Sequence, residues 1–188
     1  LDRHRDGPDI PWIRKQLEIY RSLGFTYLRD GGDRFGAGKA ARELAPEYGI
    51  IYRTPLSPLH HCGHYGGFIG TAYEDMQEYA ALVVKIREDG GDFIKVMISG
   101  LMDFNCFGRL TEDPLPPEEI RELVKIAHSE GMSIMFHGNG ARTVEAAAEA
   151  GIDSIEHGAY QDEASLAAMA EKGCVWVPTL STVGNLRG

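Results

Sequence analysis

The sequence predicts a parallel α/β fold in which short apolar strands alternate with amphipathic helices. Three observations carry this reading. Stretches with apolar residues at helical spacing are each followed by a short apolar run. Each stretch closes at glycine or a polar cluster, giving six strands, five helices between them and one helix before them. The alternation is strict, and strict alternation places the strands in one parallel sheet with the helices outside it. A (β/α)8 barrel and an open doubly wound sheet both satisfy these observations. The nucleotide-binding form of the open sheet loses its main support: GGDRFGAG after the first strand lacks GxGxxG, and no phosphate-loop motif occurs. A complete barrel takes roughly 250 residues. Six strands in 188 residues are therefore expected to be part of one, a single barrel domain over residues 1–188 that is truncated at both ends.

The elements follow in order. Residues 11–23 place Ile13, Leu17, Tyr20 and Leu23 on one stripe, with Pro11 near the start and Gly24 as the stop, which predicts a helix. FTYLRDGG (25–32) reads as the first strand, 36–48 as a helix closed by Gly49, and IIYRTPL (50–56) as the second strand. A loop, SPLHHCGHYGGFIG (57–70), then holds three of the seven histidines and four glycines. A helix over 73–88 ends at Gly90-Gly91, and DFIKVMIS (92–99) is the third strand. Residues 100–115 form a second long loop that leads through Pro114, Pro116 and Pro117 into a helix over 117–130, stopped by Gly131. SIMFHG (133–138), a helix over 141–150, DSIEHG (153–158), a helix over 162–172 and CVWVPTL (174–180) complete the pattern.

Composition removes several function classes. With 43% hydrophobic and 25% charged residues the chain is ordinary for a globular domain. Its longest apolar runs, such as 80–84, fall far short of the roughly 18 residues that cross a bilayer. The formal charge of −9 comes from interspersed acids and bases without a Lys or Arg run, so neither nucleic acid nor a membrane is an expected partner. Cys62, Cys106 and Cys174 are odd in number and lack CxxC spacing, which points to a reducing, cytoplasmic setting.

In α/β barrels the reactive groups sit where strands end at the mouth. His137 is the last side chain of SIMFHG and His157 of DSIEHG, twenty residues and one βα unit apart. Alone, each could equally cap a neighbouring carbonyl. Two in successive identical contexts, each followed by Gly, suit a metal, because neutral imidazoles on rigid strands supply half of a tetrahedral shell. In DFIKVMIS, alternation sets Phe93, Lys95 and Met97 against the aliphatic Ile94, Val96 and Ile98, so Lys95 points into the barrel. A buried ammonium is costly, and a lysine that sheds its proton is a nucleophile suited to a Schiff base or to carboxylation by carbon dioxide. A lysine paired with an acid or reaching the mouth is the alternative. Turning His157 to the mouth turns Glu156 toward the helices. Arg29 and Asp30 read as a structural ion pair, and His128 as a partner of its helix C-terminus.

FIKVMISG, IMFHGNG and DSIEHG in this order, preceded by TYLRDGG, resemble the metal-dependent amidohydrolases. The likeness is greatest to the imidazolonepropionase-like branch, which includes dipeptidases that cleave before a C-terminal basic residue or proline. It covers residues 12–180. The resemblance implies a (β/α)8 TIM-type barrel of which the six visible strands are strands two to seven. It implies one or two divalent ions, zinc foremost, with Lys95, His137 and His157 as ligands and Lys95 carboxylated to bridge a pair. HHCGHYGGF (60–68) resembles the branch's substrate-facing loop, which makes His64 and Tyr65 the substrate-binding candidates.

The implied activity is hydrolysis of C–N bonds in a small amide or dipeptide, dipeptidase- or carboxypeptidase-like, with cyclic amidase or deaminase chemistry as the alternative within the family. Two departures stand out. The family's His-x-His pair is missing, since His60-His61 is adjacent and follows a later strand, and the shuttle Asp of strand eight is beyond the chain; no catalytic residue is assigned. Two other classes remain. A non-catalytic fragment would hold metal weakly or not at all and would pair through its exposed strand edges with another copy. A Schiff-base lyase using Lys95 would leave both histidines without a role.

Overall fold

The structure, a computed structural model, describes residues 2–181. Helix α1 (Ile10–Ser22) starts where the Asp9 side chain accepts the backbone N–H of Trp12 at 3.0 Å, and it buries Ile13 and Leu17. Strand β1 (Tyr27–Arg29) follows and pairs in parallel with β2 (Ile51–Arg53). Between them, α2 (Ala37–Leu44) gives way to a 3-10 turn over Ala45–Tyr48, so the helix expected over 36–48 is broken near its end. Pro46 is the physical reason, since it lacks the N–H that an α-helix would use there.

The histidine-rich loop contains two strands that its glycines concealed, β3 (Leu59–His61) and β4 (Thr71–Tyr73). The next helix, α3 (Met76–Glu88), therefore begins later than position 73. Its start is fixed by Asp75, whose carboxylate accepts the N–H groups of Gln77 and Glu78, both at 2.9 Å. The remaining elements fall close to expectation: β5 (Ile94–Met97), α4 (Pro117–Ser129), β6 (Ile134–Gly138), α5 (Ala141–Glu149), β7 (Ser154–His157), α6 (Glu163–Lys172) and β8 (Val175–Val177).

Among the described residues all pairings between the named strands are parallel, in a six-stranded sheet of order β4-β3-β5-β6-β7-β8 and a separate β1-β2 pair. The Asp92 N–H donates to the Thr54 carbonyl at 2.9 Å, which ties the end of β2 to the approach of β5. β2 and β3 are thus two halves of one path along the neighbouring strand, interrupted where Pro55 and Pro58 withhold ladder donors. The sheet does not close on itself. It is an open part of a (β/α)8 barrel, as the strand count predicted. Among the described residues no helix is long and apolar enough to cross a membrane.

Register sorts the central side chains into two sets. Lys95 pairs with Met135, Met97 with His137, Met135 with Ser154, and His137 with Glu156, so these six share the interior face. Ile94, Val96, Ile134, Phe136 and Ile155 face the other way into the main core, packed with Tyr79, Val83, Leu123 and Val144 of the helices. Burying each such large apolar side chain contributes about 1.5–3 kcal/mol. The aliphatic face of β5 is therefore the helical face, as its sequence predicted.

Candidate functional site

Lys95, inside β5, comes together with His137 and His157 at the carboxyl ends of β6 and β7, and all three line one cavity of about 330 Å³ with Arg29, Met135 and Glu156. The rings of His137 and His157 meet edge to face with centroids 4.8 Å apart. Lys95 is only 4% exposed, and burial pulls its pKa down to about 7, opposed by Glu156 and reinforced by Arg29. Burial likewise holds His137 at about 3, and burial with Lys95 nearby holds His157 at about 4. Both imidazoles are therefore neutral at pH 7 and retain a free lone pair.

Hydrogen bonds assign that lone pair. His137 Nε2 lies 3.3 Å from the Gly100 carbonyl, so Nε2 carries the proton and Nδ1 is free. His157 Nδ1 lies 2.9 Å from Thr179 Oγ1, whose own proton goes to the Val177 carbonyl at 3.4 Å; His157 Nδ1 donates and Nε2 is left free.

His157 does not arrive here by strand alternation. Glu156 occupies the interior face opposite His137, and the His157 backbone turns to φ +69°, a left-handed conformation rare outside glycine. The expectation that Glu156 faces the helices is corrected: it accepts from Arg29 Nη2 at 2.8 Å inside the barrel, where Arg29 also reaches Ser154 Oγ at 3.0 Å. Arg29 and Asp30 consequently do not pair. Asp30 accepts from the Tyr52 hydroxyl at 2.9 Å and from the Gly32 N–H at 3.1 Å. Gly158 completes the turn at φ +57°, and a Cβ there would stand 2.6 Å from Trp176 Nε1, which donates to the His157 carbonyl at 3.0 Å.

Of the two residues expected from the histidine-rich loop, Tyr65 lies against the site, its ring 4.9 Å from that of His137. His64 instead sits beside Glu112, with Nδ1 3.7 Å from the carboxylate, and lines neither cavity that His137 lines. Glu112 also accepts the Tyr65 N–H at 2.7 Å, which fixes the loop that carries the ring. His128, at the end of α4, contacts Asp153 at 2.9 Å.

Sequence reasoning passed over Asn139. It is 2% exposed, its Nδ2 donates to the Gly100 carbonyl at 3.1 Å, its Oδ1 accepts from the Ala159 N–H at 3.0 Å, and its N–H donates to Ser99 Oγ at 2.9 Å. One side chain thus laces together the chain after β5, β6 and β7. The signal was a polar residue between two glycines just past the strand-end histidine.

Among the described residues no group of three or more His, Cys, Asp or Glu side chains is placed to hold a metal ion. The donor set fits a divalent ion in part: two neutral imidazoles at rigid strand ends, and a buried lysine amine that becomes an oxygen donor once carboxylated.

Comparison with known proteins fixes the family. The profile described as amidohydrolase family matches residues 26–186, most of the chain. The chain belongs to the amidohydrolase family. Ochratoxinase of Aspergillus niger is 30% identical to this amidohydrolase chain over 152 residues, which are 76% of it and 28% of that protein. The crystal structure of a Xaa-Pro dipeptidase with bound methionine superposes with a TM-score of 0.72 at 25% identity, covering 89% of this chain and 45% of that one. The A. niger ochratoxinase structure superposes at 0.73 and 22% identity, over 93% of this chain and 46% of that one, a likeness of fold. The chain therefore spans less than half of each relative.

Proposed function

We propose that Lys95, His137 and His157 are ligands of a divalent-metal centre, of the zinc type, in an enzyme that hydrolyses amide or peptide C–N bonds in small substrates such as dipeptides. The observation that carries this is their convergence on one cavity from three adjacent strands, with both histidines neutral. A divalent ion bound there supplies Lewis-acid polarisation of the scissile carbonyl.

The chain's own residues do the rest. Lys95 forms an N–C bond to carbon dioxide and releases one proton to solvent, which exchanges an amine for a carbamate with two oxygen donors. His137 and His157 present Nδ1 and Nε2, their orientation held by Gly100 and Thr179. Tyr65 walls the site beside His137 and limits water around the substrate. In the net reaction water adds to the carbonyl carbon, the C–N bond breaks, and the leaving nitrogen takes up a proton.

The test is hydrolysis of dipeptides ending in proline or arginine and of N-acyl amino acids, followed by amine release in the presence of zinc and bicarbonate. The expected result is turnover abolished by chelator and reduced at least about 100-fold in Lys95→Ala and His137→Ala. Turnover unaffected by chelation, or no turnover of any of these substrates, would contradict it.

A further inference from the structure

Hydrolysis at the proposed centre leaves one ion pair in the wall of its cavity without a role. Register sets the barrel interior in two layers: Lys95 with Met135 and Ser154, and one step nearer the mouth Met97 with His137 and Glu156. Arg29 comes from β1, outside the six-stranded sheet, and its Nη2 reaches both layers, donating to Ser154 Oγ at 3.0 Å and to Glu156 Oε1 at 2.8 Å. Phe93 lies against the guanidinium, with Arg29 Cζ 5.4 Å from the ring centroid. Arg29, Lys95 and Glu156 all line the 330 Å³ cavity.

Resting on the reading of Lys95 as a carboxylated ligand, we propose that Arg29 is a positioning residue for that carboxylation: it holds the Glu156 carboxylate off the Lys95 amine and leaves Nζ open to carbon dioxide. Three observations lead there. The first is a pair that is not made. Lys95 and Glu156 share the cavity, yet among the described residues Glu156 is paired with Arg29. The other acid of that wall, Asp30, is committed to the Tyr52 hydroxyl and the Gly32 N–H. The second is the sign of the two influences, since Glu156 favours a protonated Lys95 and Arg29 disfavours it. The third is that Ser154 and Phe93 hold Arg29 without help from Glu156, so the guanidinium is a fixed partner to which the carboxylate is drawn.

The chemistry requires such a device. A nitrogen held as an ammonium against a carboxylate has no lone pair to give. Left unpaired, Nζ forms an N–C bond to carbon dioxide, one C=O electron pair moves onto oxygen, and the nitrogen releases a proton to solvent. Without Arg29, the carboxylate and the amine would be each other's nearest partner in a cavity shielded from water, where an unpaired charge is costly.

The experiment equilibrates the metal-free chain with carbon-13 bicarbonate, which supplies carbon dioxide, and reads the carbamate carbon by NMR. The resonance that belongs to Lys95 is the one missing from Lys95→Ala. The wild type is expected to show it, and Arg29→Met to lose it at least about tenfold. Arg29→Met combined with Glu156→Gln should regain it to within about twofold of the wild type, because the competing carboxylate is gone. That regain separates positioning from support: if Arg29 merely braced β1 against β7, removing the other half of the brace would restore nothing.

Equal carbamate in the wild type and Arg29→Met overturns the proposal, and so does a double variant as poor as the single one. Zinc content keeps the proposed function separable. A metal-free wild type that forms no carbamate yet takes up stoichiometric zinc refutes the role of Arg29 and leaves the metal centre standing. Carbamate that follows the variants as expected, in a chain that binds no zinc and hydrolyses no amide, refutes the proposed function alone.

Discussion

Strands β5 and β6 are buried at every position, whereas β1, β2 and β8 leave large apolar side chains in water. Tyr27 is 53%, Ile51 56% and Val175 56% exposed, against 0% for Ile94, Phe136 and Ile155. The same strand chemistry is thus used in two ways. In the centre each strand has a neighbour on both sides and helices across one face, and side-chain direction is over-determined. At the edges one neighbour holds each strand and the register is less constrained. The candidate site grows from the centre, which is what a geometry-dependent site requires.

The largest expected effect follows from that contrast. Phe136→Ala should cost about 3–5 kcal/mol in denaturant unfolding, and Val175→Ala less than about 0.5 kcal/mol. Equal costs would remove the distinction between centre and edge.

The second prediction separates the two faces of the central strands. Lys95 has a folded pKa of about 7 against an ordinary 10.5. Between those pH values the unfolded chain binds the extra proton, so stability of the metal-free protein should rise with pH from about 7 to 10.5, by roughly 5 kcal/mol at most. Lys95→Met should be the more stable protein below pH 7 and should flatten this rise. His137 and His157, held at about 3 and 4, add stability that is present above their ordinary 6.5 and lost as pH falls toward those values. Thermal unfolding across pH, with and without the Lys95 substitution, distinguishes the contributions. A flat wild-type profile above pH 7 would mean that Lys95 is not desolvated.

A smaller effect tests the strand end. Gly158→Ala should cost about 1–2 kcal/mol, through its positive φ and the contact with Trp176, and should shift Trp176 fluorescence. Loss of stability without a spectral change would sever the glycine from the tryptophan.

Much of this was legible in the sequence. Alternating periodicities gave the parallel α/β class, and the aliphatic run of β5 gave the inward direction of Lys95. Strand-end position brought His137 and His157 to one place. What escaped was set by non-periodic features. β3 and β4 lie in a glycine-rich segment whose pairing is a tertiary fact, and no local pattern announces them. Glu156 was turned the wrong way because alternation was extended through His157, where a left-handed residue breaks it. Asn139 acts through hydrogen bonds to Ser99, Gly100 and Ala159, which are far apart in sequence, so its role needed the fold.

The most direct test of the central claim is zinc per chain by elemental analysis after equilibration with zinc and bicarbonate, for the wild type, Lys95→Ala and His137→Ala. Near-stoichiometric metal in the wild type, lost in both variants, is the predicted result; metal retained by both, or bound by none of the three, would contradict the assignment of Lys95, His137 and His157 as a metal centre.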